Sequence, residues 1–416
     1  METTLAIVIV GGGHAGGQAA ASLRQEGYEG SVTIVTEENY IPYQRPPLSK
    51  QYLSGEFDVN KVYLRPEKFY ETKGIEIRTG LTVNEINRKE HELICNDKTV
   101  IRYEKLLLAT GARARTLDIA GSELSGIHSL RTIKDVDAIR VDMAKANSVT
   151  IIGGGYIGLE VAAVAIEAGK QVTVLEMEDR ILERVATPEM SQFYYELHRS
   201  KGVNILTNCT ANSFQGNGGE VSSVHCSNGL EVASDLVIVG VGSVPNVEIA
   251  ENAGIKTSNG ILVNEYCLTS DPHIFAAGDC TNHPNPLLER RLRLESVPNA
   301  MEQARVASAN MLISIEKPHT PELLKAYASI PWFWSDQYHL KFQMVGFPTD
   351  SDEVVTRGNV ESEHFANFYF TDNAVIAADA INSPREFMLA KQLIGKTVDK
   401  SALADPNVDL KTLATS

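Results

Sequence analysis

Two stretches of the chain share one glycine spacing, Gly11-Gly12-Gly13-His14-Ala15-Gly16 and Gly153-Gly154-Gly155-Tyr156-Ile157-Gly158. In each, the first glycine permits a tight turn, the second lets the backbone approach a bound phosphate pair, and the third lets a helix settle on the preceding strand. The N–H groups at a helix N-terminus attract anions, so the chemistry served is the holding of a pyrophosphate. About 20 residues beyond each stretch stands an acid, Glu37 and Glu176, positioned to accept from ribose hydroxyls. Glu178 adds negative charge beside Glu176, where a 2′-phosphate would be repelled. NADH is therefore favoured over NADPH, with Arg180 and Arg184 downstream as opposing charges or as partners of Glu178 and Glu183.

Each stretch has the elements needed to position it. Residues 5–10 are a continuous run rich in β-branched residues, of the kind that forms a strand buried on both faces, and the β-branched pattern recurs at 149–152. Ala15 to Glu26 and the segment ending at Glu167 read as helices, followed by strands at Ser31–Val35 and Val172–Leu175. Two complete βαβ units in one chain predict an α/β fold with two Rossmann-like dinucleotide domains.

The chain has 416 residues, 43% of them hydrophobic, with 53 acidic against 38 basic groups and a net charge of −15. That balance repels nucleic-acid phosphates and anionic lipid. Cys95, Cys209, Cys226, Cys267 and Cys280 are too scattered for a metal cradle or a close redox pair, so reduced cytoplasmic thiols and no bound metal are expected. Met1 to Thr4 lacks the basic start of a signal peptide, and no apolar run reaches about 18 residues.

Further motifs carry a resemblance: Pro42-Tyr43-Gln44-Arg45-Pro46-Pro47-Leu48-Ser49-Lys50, Leu106-Leu107-Leu108-Ala109-Thr110-Gly111, Leu159-Glu160, Ile274-Phe275-Ala276-Ala277-Gly278-Asp279, Glu295-Ser296-Val297-Pro298-Asn299-Ala300 and Pro331-Trp332-Phe333-Trp334-Ser335-Asp336-Gln337. With these, nearly the whole chain resembles the FAD-dependent, NADH-oxidising ferredoxin reductases of bacterial oxygenase systems. The resemblance implies a glutathione-reductase-like pair of domains and a C-terminal α+β domain. Its FAD domain is discontinuous, residues 1–113 and 246–322, with the NADH domain at 114–245 and the last domain at 323–416. Thr110-Gly111, Gly242-Ser243-Val244-Pro245-Asn246 and Lys317-Pro318 supply natural breaks.

The resemblance also implies roles. Gly11, Gly13, Ala15, Gly16, Glu37, Arg45, Lys50, Ala109, Thr110, Gly111, Arg131, Gly278, Asp279, Val297 and Trp334 correspond to FAD contacts. Gly153, Gly155, Tyr156, Ile157, Gly158, Glu160, Glu176, Arg184 and Gly242 correspond to NADH contacts. Lys50, near the flavin N5, pairs with Glu160, and a cation there favours an anionic reduced flavin. An ordinary ion pair is the competing account. Asp279 reaches the ribityl chain, Val297 the pyrimidine end, and Arg131 the cofactor from the interdomain segment. Trp332 and Trp334 share a face if their segment is a strand. Trp334 then lies between the flavin and a docked [2Fe-2S] ferredoxin, or both rings fill the core. Hydride passes from NADH to FAD, and electrons leave singly to two ferredoxins that supply a P450 or Rieske-type oxygenase.

The same residues bear on other classes of flavoprotein. Disulfide reductases need a Cys pair, and NADH oxidases and coenzyme A disulfide reductases a single Cys, in the region from Pro42 to Leu53, which has none. Rubredoxin reductase, monodehydroascorbate reductase and the apoptosis-inducing-factor class remain as alternatives, and monomer or weak homodimer are both compatible. Arg290, Arg291 and Arg293 form a basic cluster that either steers an acidic ferredoxin or is locally paired. His14 is expected to face solvent or backbone, Gly216–Gly219 a β-turn, and Gln44 a departure from relatives with an acid there. The tail Ala402–Pro406 resembles the family's ending without an indicated role.

Overall fold

Four short, mostly apolar runs and an alternating edge segment, Ile75–Arg78, build a parallel sheet, and burial on both faces explains the composition of the four. In the computed structural model, which describes residues 6–286, 288–318 and 320–414, the strand order is Ile274–Ala276, Lys105–Leu108, Ala6–Val10, Ser31–Val35, Ile75–Arg78. Leu5, where the sequence reading starts the first strand, and Met1 to Thr4 lie outside the described residues. Ile7 and Ile9 enter one core with Phe275, Ala304 and Met311, while Val8 and Val10 enter another with Leu106, Leu108 and Leu93. Side chains alternate across a strand, so two apolar covers demand an apolar residue at every position. Helices His14–Gln25 and Val297–Glu316 cover the first face, and an antiparallel sheet of Val83–Asn87, Glu92–Cys95 and Val100–Arg102 covers the second. Small residues let the two helices approach: Ser308 donates to the carbonyl of Ala19 at 3.2 Å.

These elements belong to the first of two compact units, formed by Met1–Arg45, Asp58–Arg113 and Ser243–Ser329. The second is formed by Pro46–Phe57, Ala114–Gly242 and Ile330–Ser416. Its parallel sheet has the order Asn204–Leu206, Gln171–Leu175, Ser148–Ile152, Leu236–Val239, Ile127–Ser129, with the helix Tyr156–Glu167 joining two of the strands. Both expected βαβ units are therefore present, each boundary within a residue or so of the pattern. A hairpin of Ala211–Asn217 and Glu220–Cys226 turns at Gly218 and Gly219, both at positive φ, as the glycines of that loop require.

The rest of the second unit is an antiparallel sheet in the order Trp332–Gln337, Leu340–Gly346, Ala374–Ile381, His364–Thr371, Glu353–Asn359. Helix Pro384–Leu393 packs on one face through Phe387, Leu389 and Ala390. The other face meets helices Tyr156–Glu167 and Pro188–Ser200 through an aromatic seam of Tyr156, Phe333, Phe342, Tyr194, Phe193 and Phe365. The tail has a structural role that its sequence did not reveal. Buried Arg357 donates to the carbonyls of Leu403, Asp405, Pro406 and Val408, tying the chain end to the sheet. All five cysteines are buried and unbridged. Among the described residues no helix is long and apolar enough to cross a membrane.

Candidate active site

The first glycine loop follows its strand directly. A Cβ on Gly11, at φ +121°, would lie 2.1 Å from the carbonyl oxygen of Ala109, and one on Gly16 would lie 2.0 Å from the carbonyl oxygen of Gly11. Neither position tolerates a side chain. A Cβ on Gly13 meets nothing within 4 Å, so the space above the loop is open where a pyrophosphate belongs. Helix His14–Gln25 has no side-chain cap and no acid in its first turn, whereas Thr132 and Ser296 cap theirs. No capping side chain or leading acid therefore competes with an anion at this helix start.

The second loop repeats this geometry. A Cβ on Gly153 would strike the Gly240 carbonyl oxygen at 2.4 Å and one on Gly158 that of Gly153 at 2.1 Å, while Gly155 faces open space. Helix Tyr156–Glu167 likewise lacks a cap and a leading acid. Both cradles fit a dinucleotide pyrophosphate.

Within the first unit the expected FAD residues converge on one loop edge. Ala109 donates its N–H to Val10 at 2.8 Å, and Thr110 exchanges two hydrogen bonds with Asn246. Gly278, at φ +89°, lies where a Cβ would come 3.2 Å from Ala15, and Gln303 fixes its N–H at 2.8 Å. Asp279 is half-buried in the same turn, and Val297 opens the 20-residue helix Val297–Glu316. Glu37 is exposed just past Val35. Its neighbour Glu38, which the sequence reading passed over, accepts from Tyr43 at 2.6 Å and pairs with Arg45 at 2.5 Å. Gly111, at φ +63°, closes the segment.

The second unit holds Lys50, Glu160, Trp334 and Arg131. Glu160 lies in the opening turns of the nucleotide helix and is 4% exposed. Lys50 meets its Oε2 at 2.7 Å, Ser49 donates to the same oxygen at 2.5 Å, and Ser335 donates to Oε1 at 2.6 Å. Asp336 stands near Lys50; burial raises its pKa, and the charges of Lys50 and Lys341 draw it back down. Ser335 and Gln337 share a face of their strand because side chains alternate. That alternation was readable in the sequence, but their target on another helix was not.

The remaining NADH residues divide. Glu176 is buried, its Oε2 accepting from Gly154 at 2.7 Å and its Oε1 from Glu178 at 3.0 Å, so it braces the loop as well as ending the strand. Tyr156 turns its ring 4.9 Å from Phe333, and its hydroxyl is buried without a hydrogen-bond partner, so what it presents at the helix start is its backbone. Ile157 and Arg184 are exposed, and Gly242, at φ +96°, accepts from Arg115. Arg180 is pinned on Ala186, Ser191 and the Glu183 carbonyl. Arg131 is half-buried and its N–H reaches Asp135 at 3.1 Å. The ring of Trp334 lies 5.7 Å from that of Trp332 at a tilt of 34°, and Trp332 itself packs on Phe387; of the two, only Trp332 joins the core cluster.

Two pyrophosphate cradles, each ending a parallel strand, and a buried Lys–Glu pair define a two-dinucleotide reductase. The pyridine nucleotide-disulphide oxidoreductase family model matches residues 5–304, and the reductase C-terminal model matches residues 332–414. Putidaredoxin reductase CamA of Pseudomonas putida is 40% identical over 414 residues, covering 98% of this chain and 96% of its own. The 5,5′-dehydrodivanillate O-demethylase ferredoxin reductase subunit of a Sphingobium species is 41% identical over 410 residues, covering 98% and 97%. The crystal structure of the covalent putidaredoxin reductase–putidaredoxin complex superposes with a TM-score of 0.92 at 40% identity, covering 99% of this chain and 98% of that one. The chain belongs to the pyridine nucleotide-disulphide oxidoreductase family and carries its reductase C-terminal domain. FAD and NAD(H) are the cofactors that this membership brings.

Proposed function

We propose that the chain is the NADH-oxidising reductase of a bacterial oxygenase system, passing electrons to a [2Fe-2S] ferredoxin. The observation that carries this reading is the end-to-end similarity to ferredoxin reductases, joined to a 46–57 segment that offers Ser49 and Lys50 and no cysteine. Bound FAD supplies the conversion of a two-electron hydride into single electrons. The first loop holds FAD and the second NADH, with Glu176 and Glu178 rejecting a 2′-phosphate. Lys50 and Glu160 position and electrostatically tune the reaction site. Trp334, outside the core cluster, has the role of shaping electron exit. We assign the FAD domain to residues 1–113 and 246–322, the NADH domain to 114–245 and the last domain to 323–416.

The test is cytochrome c reduction by FAD-loaded protein and NADH, with and without a panel of [2Fe-2S] ferredoxins, rubredoxin serving as control. Rapid reduction that depends on an added ferredoxin is expected. Flavin reduction by NADH with no response to any ferredoxin would overturn the acceptor assignment.

A further inference from the structure

Glu160 is the inner end of a longer chain of buried polar groups. From its Oε1 the contacts run to Ser335 Oγ at 2.6 Å, from Ser335 to Gln337 Nε2 at 3.1 Å, from Gln337 Oε1 to His198 Nε2 at 2.7 Å, and from His198 Nδ1 to the Tyr338 hydroxyl at 2.9 Å. Ser335, Gln337 and His198 are buried, and Tyr338 is half-buried. His198 lies on helix Pro188–Ser200, far from the nucleotide loops in sequence.

Donor and acceptor chemistry fixes the direction of every link. A carboxylate accepts only, so the single Ser335 proton points to Glu160. Ser335 must then accept, which turns the Gln337 amide N–H₂ towards it and the Gln337 carbonyl towards His198. That carbonyl needs a proton on Nε2. Burial pushes the His198 pKa down to about 4, so the ring is neutral near pH 7 and its bare Nδ1 accepts from Tyr338. All four donors therefore point inward, and aligned hydrogen bonds of low dielectric reinforce one another. An amide does not hand a proton on, so the arrangement acts as a pin and carries no proton current.

The geometry points to Ser335, Gln337, His198 and Tyr338 as positioning residues that fix the Glu160 carboxylate opposite Lys50 through one directed hydrogen-bond relay. This rests on the reading above that Glu160 serves the hydride-transfer site. Lys50 and Ser49 hold one carboxylate oxygen and the relay holds the other, so the group cannot rotate about its Cγ–Cδ bond. Without the relay, Oε1 loses its donor.

Two readouts on the FAD-loaded protein test it. In ¹⁵N-histidine-labelled enzyme, His198 should show a protonated Nε2 and a bare Nδ1 at pH 7; the opposite tautomer would break the chain of donors and overturn the inference. In stopped-flow flavin reduction by NADH, Gln337→Met should slow the step roughly tenfold and Tyr338→Phe, at the half-exposed end, by a smaller factor. In a Glu160→Gln background neither change should slow it further. Additive slowing, or a Gln337→Met enzyme at the parent rate, overturns the positioning role. Parent-rate reduction by Glu160→Gln alone would instead overturn the role assigned to Glu160, while the His198 signal still reports whether the relay exists.

Discussion

Replacing Lys50 with methionine largely separates the buried ion pair from its packing, because the apolar stem keeps its length while the ammonium, which also donates to the Pro46 carbonyl at 3.2 Å, is lost. Lys50 and Glu160 meet at 2.7 Å with side chains 10% and 5% exposed. At an effective dielectric constant of about 20, that separation corresponds to about 6 kcal/mol of attraction, from which the desolvation of two ions must be subtracted. Removing one partner of such a pair costs about 3–5 kcal/mol, since the other charge stays buried. Ser49 and Ser335 still donate to Glu160, which places Lys50→Met towards the lower end. Asp336 adds to the cost, because it loses one of the two cations that offset its burial. Lys50→Met with Glu160→Gln should recover most of the loss, an amide being far cheaper to bury than an ion. Urea titrations of the parent, both single variants and the double variant give the coupling directly. A Lys50→Met protein as stable as the parent, or a double variant whose losses simply add, would refute the view that these charges are held for each other.

Arg357→Met leaves four carbonyls without their donor and should lower stability by about 2–4 kcal/mol; limited proteolysis should then cut first near Leu403 to Val408, and an unchanged tail would contradict the accounting. Burial pushes His198 and His283 down to about 4 from 6.5, so the unfolded chain takes up these protons first. Their contribution should fall from about pH 6.5 to about pH 4, by up to roughly 1.4 kcal/mol per pH unit for each ring. Asp379 acts in the opposite sense: burial raises it to about 7 against the hydrogen bonds of Tyr369 and Asn367, so its contribution is lost as pH rises towards 7. Asp379→Asn should therefore stabilise at pH 8 relative to its effect at pH 4, and equal urea midpoint shifts at both pH values would reject this. Trp334→Ala should slow ferredoxin reduction roughly tenfold while flavin reduction by NADH changes little; equal effects on both steps would return Trp334 to a packing role.

Local spacing carried much of the fold. The glycines of both loops could be assigned because each does one steric job at one position, and the strands before them because burial on two faces leaves no polar alternation. Tyr156 shows the limit of such reasoning. Its place in the loop pattern marks a cofactor contact but says nothing of its ring, which joins Phe333 and Phe342, residues brought to it by two strands far along the chain. The relay behind Glu160 was hidden for the same reason. Ser335 and Gln337 stood in a recognised motif, but His198 lies on a helix with no motif, and only the packing of that helix on the C-terminal sheet joins them.

Arginines are the least legible residues, because a sequence shows their charge and conceals where their five donors go. Arg180 reads in the sequence either as a charge near the ribose or as a partner of Glu178 or Glu183, and its donors are held by Ala186, Ser191 and the Glu183 carbonyl. In the cluster Arg290 to Arg293, Arg291 binds the carbonyls of Val263 and Asn282, and Arg293 pairs with Glu295. The two side chains differ in the electrostatic consequence of their contacts. A carbonyl is neutral, so Arg291 keeps its full charge as seen from a Debye length away, whereas Glu295 cancels that of Arg293. Of these two side chains, Arg291 is therefore the one that adds its charge to the field met by an approaching acidic protein. Hydrogen-bond occupancy and field are separate properties of the same side chain, and a patch can be structurally committed while still acting at long range.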